Sequence, residues 1–403
     1  MRQTKTSYWF PLFALFVIFA DELFYGFIAV SGTALESGLK SLEAIGIAGI
    51  AYLLILKDVV SKKFSSRNYG QFLALIIILI LYYITSFQYQ TGNKSYWSHL
   101  LVYGSLCIPA CYVGMRLSRR EDDDSVISLL PLFVVVVALV TGRAVIYTSV
   151  QGSLLGWGDN DVFNYQNASY YLAFCYSYCF YYVFFINRDR KKTTWERFKS
   201  IVMMGMLFVC GIGCILGGGR GAFVYIVAIT AYLIYRIFKR GGKSNTKYIL
   251  LVLGGVLVMV YLAHHFNIFS SSGFMRVADS LTSDDIREEN VRKAMTAFKE
   301  SPIIGHGLGS IWWTVGYYSH NMLTDLLAET GVVGTTIVVI VLLSCLFHLI
   351  KSSRINQFDM FMLILFLGAL VEDTFSGYWI SSSKFFLIFG YVYASLKRKR
   401  IKT

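Results

Sequence analysis

Repeated apolar runs, each near the roughly 20 residues that a helix needs to cross a bilayer, constrain this chain more than any other feature. They fall near 8–30, 41–56, 70–88, 97–115, 125–148, 166–186, 200–216, 221–238, 248–264, 321–350, 358–375 and 382–396. Backbone inside lipid must satisfy its own hydrogen bonds, and a helix does so within one segment. The pattern therefore predicts an all-α integral membrane protein with about twelve transmembrane helices. Of 403 residues, 56% are hydrophobic and 15% charged, which excludes an ordinary soluble globule. No internal repeat, low-complexity tract or linker emerges, so 1–403 reads as a single polytopic membrane domain.

Basic residues set the expected orientation, because short cytoplasmic loops carry the Lys and Arg excess. With the N-terminus inside, most of the 37 Lys and Arg fall on inside segments, including Lys57 to Arg67, Arg188 to Lys199, Arg236 to Lys247 and the tail from Lys397. Both termini are then cytoplasmic. The net charge of +13 follows from this topology and from anionic inner-leaflet lipid, not from nucleic acid. The first run is too long for a cleaved signal peptide and carries Asp21 and Glu22, so a retained signal anchor is expected. All seven cysteines lie inside predicted membrane helices, six of them as pairs four apart. That spacing shares a helix face without the convergence a disulfide or zinc site needs, and they read as small packing residues.

Outside-facing chemistry must come from the outer loops, above all 265–319. Within it, Ser283 is a candidate N-cap with Asp284 and Asp285 in the first turn. Val291, Ala294, Met295 and Phe298 form an apolar stripe at helical spacing, ending before Pro302. Arg287, four residues before Val291, extends that stripe toward the protein, whereas Arg292 is rotated off it. In the run 302–321, glycines alternate with aromatics. Trp312, Trp313, Tyr317 and Tyr318 suit either a membrane interface or stacking on sugars. His306 stands between two glycines.

His320 and Asn321 stand where the loop re-enters an apolar helix. The dipole at a helix N-terminus disfavours imidazolium, so His320 is expected to be a neutral acceptor able to take a proton. Gly331 and Gly334 would permit close approach of a neighbouring helix. At the turn 217–223, glycines and Arg220 offer amides and a guanidinium fork suited to phosphate, or Arg220 snorkels to headgroups. Arg143, near the outer end of the fifth span, is either a further cation or the partner of Asp21 or Glu22.

Three of these features carry a resemblance: His320-Asn321 followed after nine residues by Gly331-Val-Val-Gly334, Arg287 fifteen residues before the Pro302–Gly307 turn, and Arg220-Gly221-Ala222 heading a membrane helix. Over roughly 215–375 the chain resembles the O-antigen ligase and Wzy-type polymerase superfamily. The resemblance implies a GT-C-like architecture with a large periplasmic loop, 265–319, between helices 9 and 10. It implies a metal-independent, cofactor-free inverting glycosyltransferase at the outer face of the bacterial inner membrane. His320 would be the base, with Arg220 and Arg287 on the pyrophosphate. The residues agree: a sugar pyrophosphate is already activated, so transfer needs cations for the leaving group and a base for the attacking hydroxyl. Arg143, Asn321, Tyr317, Tyr318 and Trp313 are the candidate substrate contacts.

The partners implied are an undecaprenyl-diphosphate-linked oligosaccharide donor, a glycan acceptor, membrane lipid and a chain-length regulator. A polymerase joining repeat units is the preferred expectation, and a ligase moving the glycan to lipid A core is the alternative. A polyprenyl-linked glycan flippase or other transporter is the reading from another class, though such proteins usually show related halves and charges near the midplane. A metal-using transferase would draw on Asp159, Asp161, Glu372 and Asp373.

Overall fold

The structure is a computed structural model that describes residues 8–28, 35–61, 66–88, 94–118, 120–150, 165–186, 193–239 and 286–396, with isolated positions between 254 and 275. Helices α1 (Trp9–Ile28), α2 (Leu35–Val60), α3 (Ser66–Gln88), α4 (Lys94–Val102), α5 (Ile108–Leu117), α6 (Arg120–Val150), α7 (Tyr165–Tyr181), α8 (Thr194–Gly217) and α9 (Arg220–Lys239) fill the first part. The last part holds α10 (Ile286–Glu300), the short α11 (Ile311–Thr314), α12 (Met322–Ser352), α13 (Gln357–Phe375) and α14 (Ser383–Ser395). No strand occurs among the described residues. Helices occupy the expected apolar runs, except that near 248–264, which lies outside the described residues apart from isolated positions. So do Ser283 to Asp285, Asp159, Asp161 and the side chains of Asp21 and Glu22.

Among the described residues, five helices are long and apolar enough to cross a membrane: Tyr96–Leu117, Ser125–Tyr147, Thr194–Gly217, Arg220–Lys239 and Met322–Ser352. The first runs from α4 to α5 through a π-helical turn, Tyr103–Cys107, just ahead of Pro109. A proline without an N–H is one feature that such a turn accommodates.

Two compact units divide the chain, one of residues 1–18, 40–128 and 284–403, the other of 19–39 and 129–283. In the first, α14 packs on α5 at a crossing made by glycine on both sides. A Cβ on Gly114 would fall on the Leu387 carbonyl, and one on Gly390 would fall on the Cys111 carbonyl. Small residues at such crossings let helix backbones touch, a main source of association in lipid. Cys111 thus serves packing, and all seven cysteines are buried and outside any disulfide. In the second unit, α7 packs against both α8 and α9 and is buried on nearly every side. A capping box at Thr193 and Glu196 starts α8, satisfying two of its orphan amides.

Candidate active site

In the first unit the loop between α10 and α12 is built on a break in α12. Gly331 adopts φ 61° and ψ −166° inside that helix, so the carbonyls before it and the amides after it lose their helical partners. The loop supplies replacements. The His306 and Gly307 amides donate to the carbonyls of Ala328 (3.0 Å) and Glu329 (2.8 Å), while the Val332 and Val333 amides donate to Pro302 (2.9 Å) and Ile303 (3.1 Å). The crossing is backbone on backbone: a Cβ on Gly305 would strike Glu329 and Thr330, and one on Gly331 would strike Ile303 and Ile304. What approaches Gly331 is thus this loop rather than a neighbouring helix, and a Cβ on Gly334 would first meet Thr330 of its own helix.

α10 lies against α12 through the expected stripe, with Ala294 and Ala297 buried and Val291, Met295 and Phe298 half-buried. Its exposed face carries the pair Glu289–Lys293 at 2.8 Å, and Lys293 holds the Glu289 carboxyl below its ordinary range. Arg292 is exposed there, whereas Arg287 is half-buried. His306 closes the end of α10, its Nε2 lying 2.9 Å from the Ala297 carbonyl; a ring bonded to a terminal helix carbonyl is a structural device.

His320 precedes the N-cap of α12. Asn321 is that cap: its Oδ1 accepts from the amides of Leu323 (3.0 Å) and Thr324 (3.4 Å). Among the described residues His320 is the one non-glycine with positive φ, 58°, a conformation that costs a β-carbon-bearing residue energy and that recurs at functional sites. Its ring lies 4.4 Å from the Tyr318 ring and 5.4 Å from the Tyr317 ring, which stack on each other at 4.3 Å. Burial drives the Tyr318 phenol well above its ordinary range, and the Arg287 charge acts against that shift. The guanidinium is therefore close enough to Tyr318 to be felt there. Tyr318 thus stands against the His320 ring and within electrostatic reach of Arg287.

The aromatic residues divide by environment. Tyr317 is exposed (44%) with its ring stacked on Tyr318, whereas Trp312 is buried among His99, Tyr317, Tyr318 and Tyr378. Tyr318 also donates to the Ser376 carbonyl at 3.0 Å, and Trp313 packs on Tyr96. Beside this head an apolar cavity of about 250 Å³ runs between α3, α12, α13 and α14. Met322, the second residue after His320, lines it together with Val338, Cys345, Phe366 and Trp379.

In the second unit, Arg220 begins α9 and is half-buried. The glycines before it serve packing more than anion binding. Gly218 takes the left-handed C-cap of α8, Gly217 and Gly219 abut Ser169, and the Gly219 amide already donates to Ser169 Oγ at 3.1 Å. Ser169 had no sequence signal beyond being a small residue in an aromatic helix. Arg143 is exposed on α6. Among the described residues no three His, Cys, Asp or Glu side chains gather as metal ligands, and Glu372 pairs with Lys384 at 3.0 Å.

Several membrane-length apolar helices with a histidine, a guanidinium and aromatic rings at the head of one of them define a multi-pass membrane protein. The family model described as O-Antigen ligase matches residues 204–339, a stretch that includes Arg220, Arg287 and His320. Over that stretch, about a third of the chain, the protein is similar to the O-antigen ligase family, the resemblance its motifs carry. No curated protein and no solved structure matches it.

Proposed function

We propose that the protein is a surface-polysaccharide polymerase, an inverting glycosyltransferase acting on polyprenyl-diphosphate-linked repeat units at the outer face of the inner membrane. The observation that carries this reading is the His320 ring set against Tyr318 at the head of α12, with the Arg287 charge acting on Tyr318, inside the stretch matched by the O-antigen ligase model. His320 takes the proton of an acceptor-sugar hydroxyl as its oxygen bonds to the anomeric carbon. The bond from that carbon to the diphosphate breaks, and the leaving group departs with the electron pair. Arg287, and by its motif Arg220, balance the developing charge, work that guanidinium groups do without a metal. Tyr317 offers a face on which a sugar stacks. The first isoprene units of the prenyl tail enter the apolar cavity beginning at Met322, which keeps the diphosphate at headgroup depth. Arg143 and Asn321 stand as further substrate contacts, Asn321 while also capping α12.

The description of the matching family favours a second reading, ligation of the glycan to lipid A core. Purified protein incubated with polyprenyl-diphosphate-linked repeat units, with and without that acceptor and with His320→Ala as control, separates the two. A ladder that stays on the polyprenyl carrier and needs His320 supports the polymerase. Product formed only with the second acceptor supports the ligase, and no product from folded protein favours transport.

A further inference from the structure

The side chains facing the loop from within α12 include two carboxyls that the chemistry above does not use. Asp325 and Glu329 lie one helical turn apart, so their side chains share a face, and both are fully buried. Asp325 Oδ1 accepts the Ser319 amide at 2.9 Å. Glu329 Oε1 accepts the Gly309 amide at 3.1 Å and the Tyr378 hydroxyl at 2.6 Å. The segment 309–319 is therefore fastened at both ends to neighbouring carboxyls of one helix, and His320 follows its second fastening directly. Burying carboxyls is costly, and apolar residues of similar shape would remove the cost. What carboxyls provide instead is directed acceptors for backbone amides.

We infer that Asp325 and Glu329 are positioning residues that fix the His320 imidazole by pinning the two ends of segment 309–319 to α12. The inference rests on the reading of His320 as the base. It predicts that the acceptor oxygen, not the negative charge, is what matters. Misplacing a catalytic group by about 1 Å can cost ~100-fold.

The test uses the full chain in lipid nanodiscs, with transfer kinetics and the rate of His320 carbethoxylation by diethyl pyrocarbonate read by mass spectrometry. Asp325→Ala should lower kcat at least about tenfold, leave donor KM nearly unchanged and alter the His320 modification rate. Asp325→Asn keeps an oxygen for the Ser319 amide and should restore both readouts. Tyr378→Phe, which deletes one donor to Glu329 without changing shape, should lower kcat several-fold and serves should Asp325→Ala fail to fold. Folded Asp325→Ala with normal kcat and normal modification, or Asp325→Asn as impaired as Asp325→Ala, would overturn the inference; so would Tyr378→Phe with normal kcat for the part assigned to Glu329. His320→Ala with normal transfer would remove the base assignment instead, and the modification rates would still decide whether Asp325 holds the ring.

Discussion

His320 holds its ring against two stacked tyrosines from a left-handed backbone position, and that strain makes stability separable from activity. His320→Ala keeps the strained φ and loses the imidazole, whereas His320→Gly loses both. Relief of a left-handed non-glycine residue is on the order of 1 kcal/mol, so thermal unfolding should find the glycine variant the more stable of the two while neither forms product. A glycine variant that melts well below the alanine one would contradict the backbone account. At Arg287 the charge and the fork can be separated in the same way. Arg287→Ala should reduce transfer by roughly 100- to 1,000-fold, the usual cost of removing a donor to developing charge. Arg287→Lys should recover only part of it, since an ammonium lacks the bidentate geometry, and near-normal turnover of the alanine variant at normal expression would sink the assignment. His320, Asn321 and Arg287 were legible because each carries chemistry that a helix head or an apolar stripe makes conspicuous. Asp325 and Glu329 carry no such signal, because nothing in their spacing tells which distant amides a buried carboxyl collects.

Among elements, the crossing of loop 302–307 over α12 depends on two glycines that face each other's backbone. Gly305→Ala and Gly331→Ala should each destabilise by more than about 1 kcal/mol, since both positions combine positive φ with no room for a Cβ. The double variant should cost less than the sum, because one displacement of the loop relieves both clashes; additive losses in denaturant melts would refute a shared crossing. The cavity beside α12 makes a separate prediction. Val338→Trp would narrow it, raising KM for a long-chain polyprenyl donor while sparing a donor with a short, soluble lipid. Equal effects on both donors would remove the tail from that place. Apolar run length and periodicity predicted the helices themselves, and the stripe of α10 with its terminus before Pro302 follows the same signal. The break at Gly331 left no trace in that signal, because apolar residues continue on both sides of it and only the partner strand of backbone reveals the interruption. Likewise, glycines before Arg220 suit an anion as well as a neighbouring helix, and it is Ser169 on α7 that decides for the helix.

For the molecule as a whole, the apolar runs and their basic flanks foretold an all-helical membrane protein, and helices occupy the described runs. Transfer should be unchanged after EDTA treatment and dialysis, because two guanidinium groups and an imidazole supply the charge and proton steps assigned above; loss of transfer reversed by added divalent cation would require a different mechanism. From Val332 to Ser352 the helix is itself roughly 30 Å long at about 1.5 Å per residue, enough to cross the hydrocarbon core without the nine residues before the break. The turns that carry Asn321, Asp325 and Glu329 lie before the break and run beside the later ones, since Met322 lines the same cavity as Val338 and Cys345, with the loop locked across the break. Lifting that loop would leave two carbonyls and two amides of α12 without partners, each a cost of ~1–3 kcal/mol when water cannot replace them. The loop is therefore a wall rather than a door. On the proposed reading, glycan and carrier would pass beside a fixed rim instead of waiting for a gate to open.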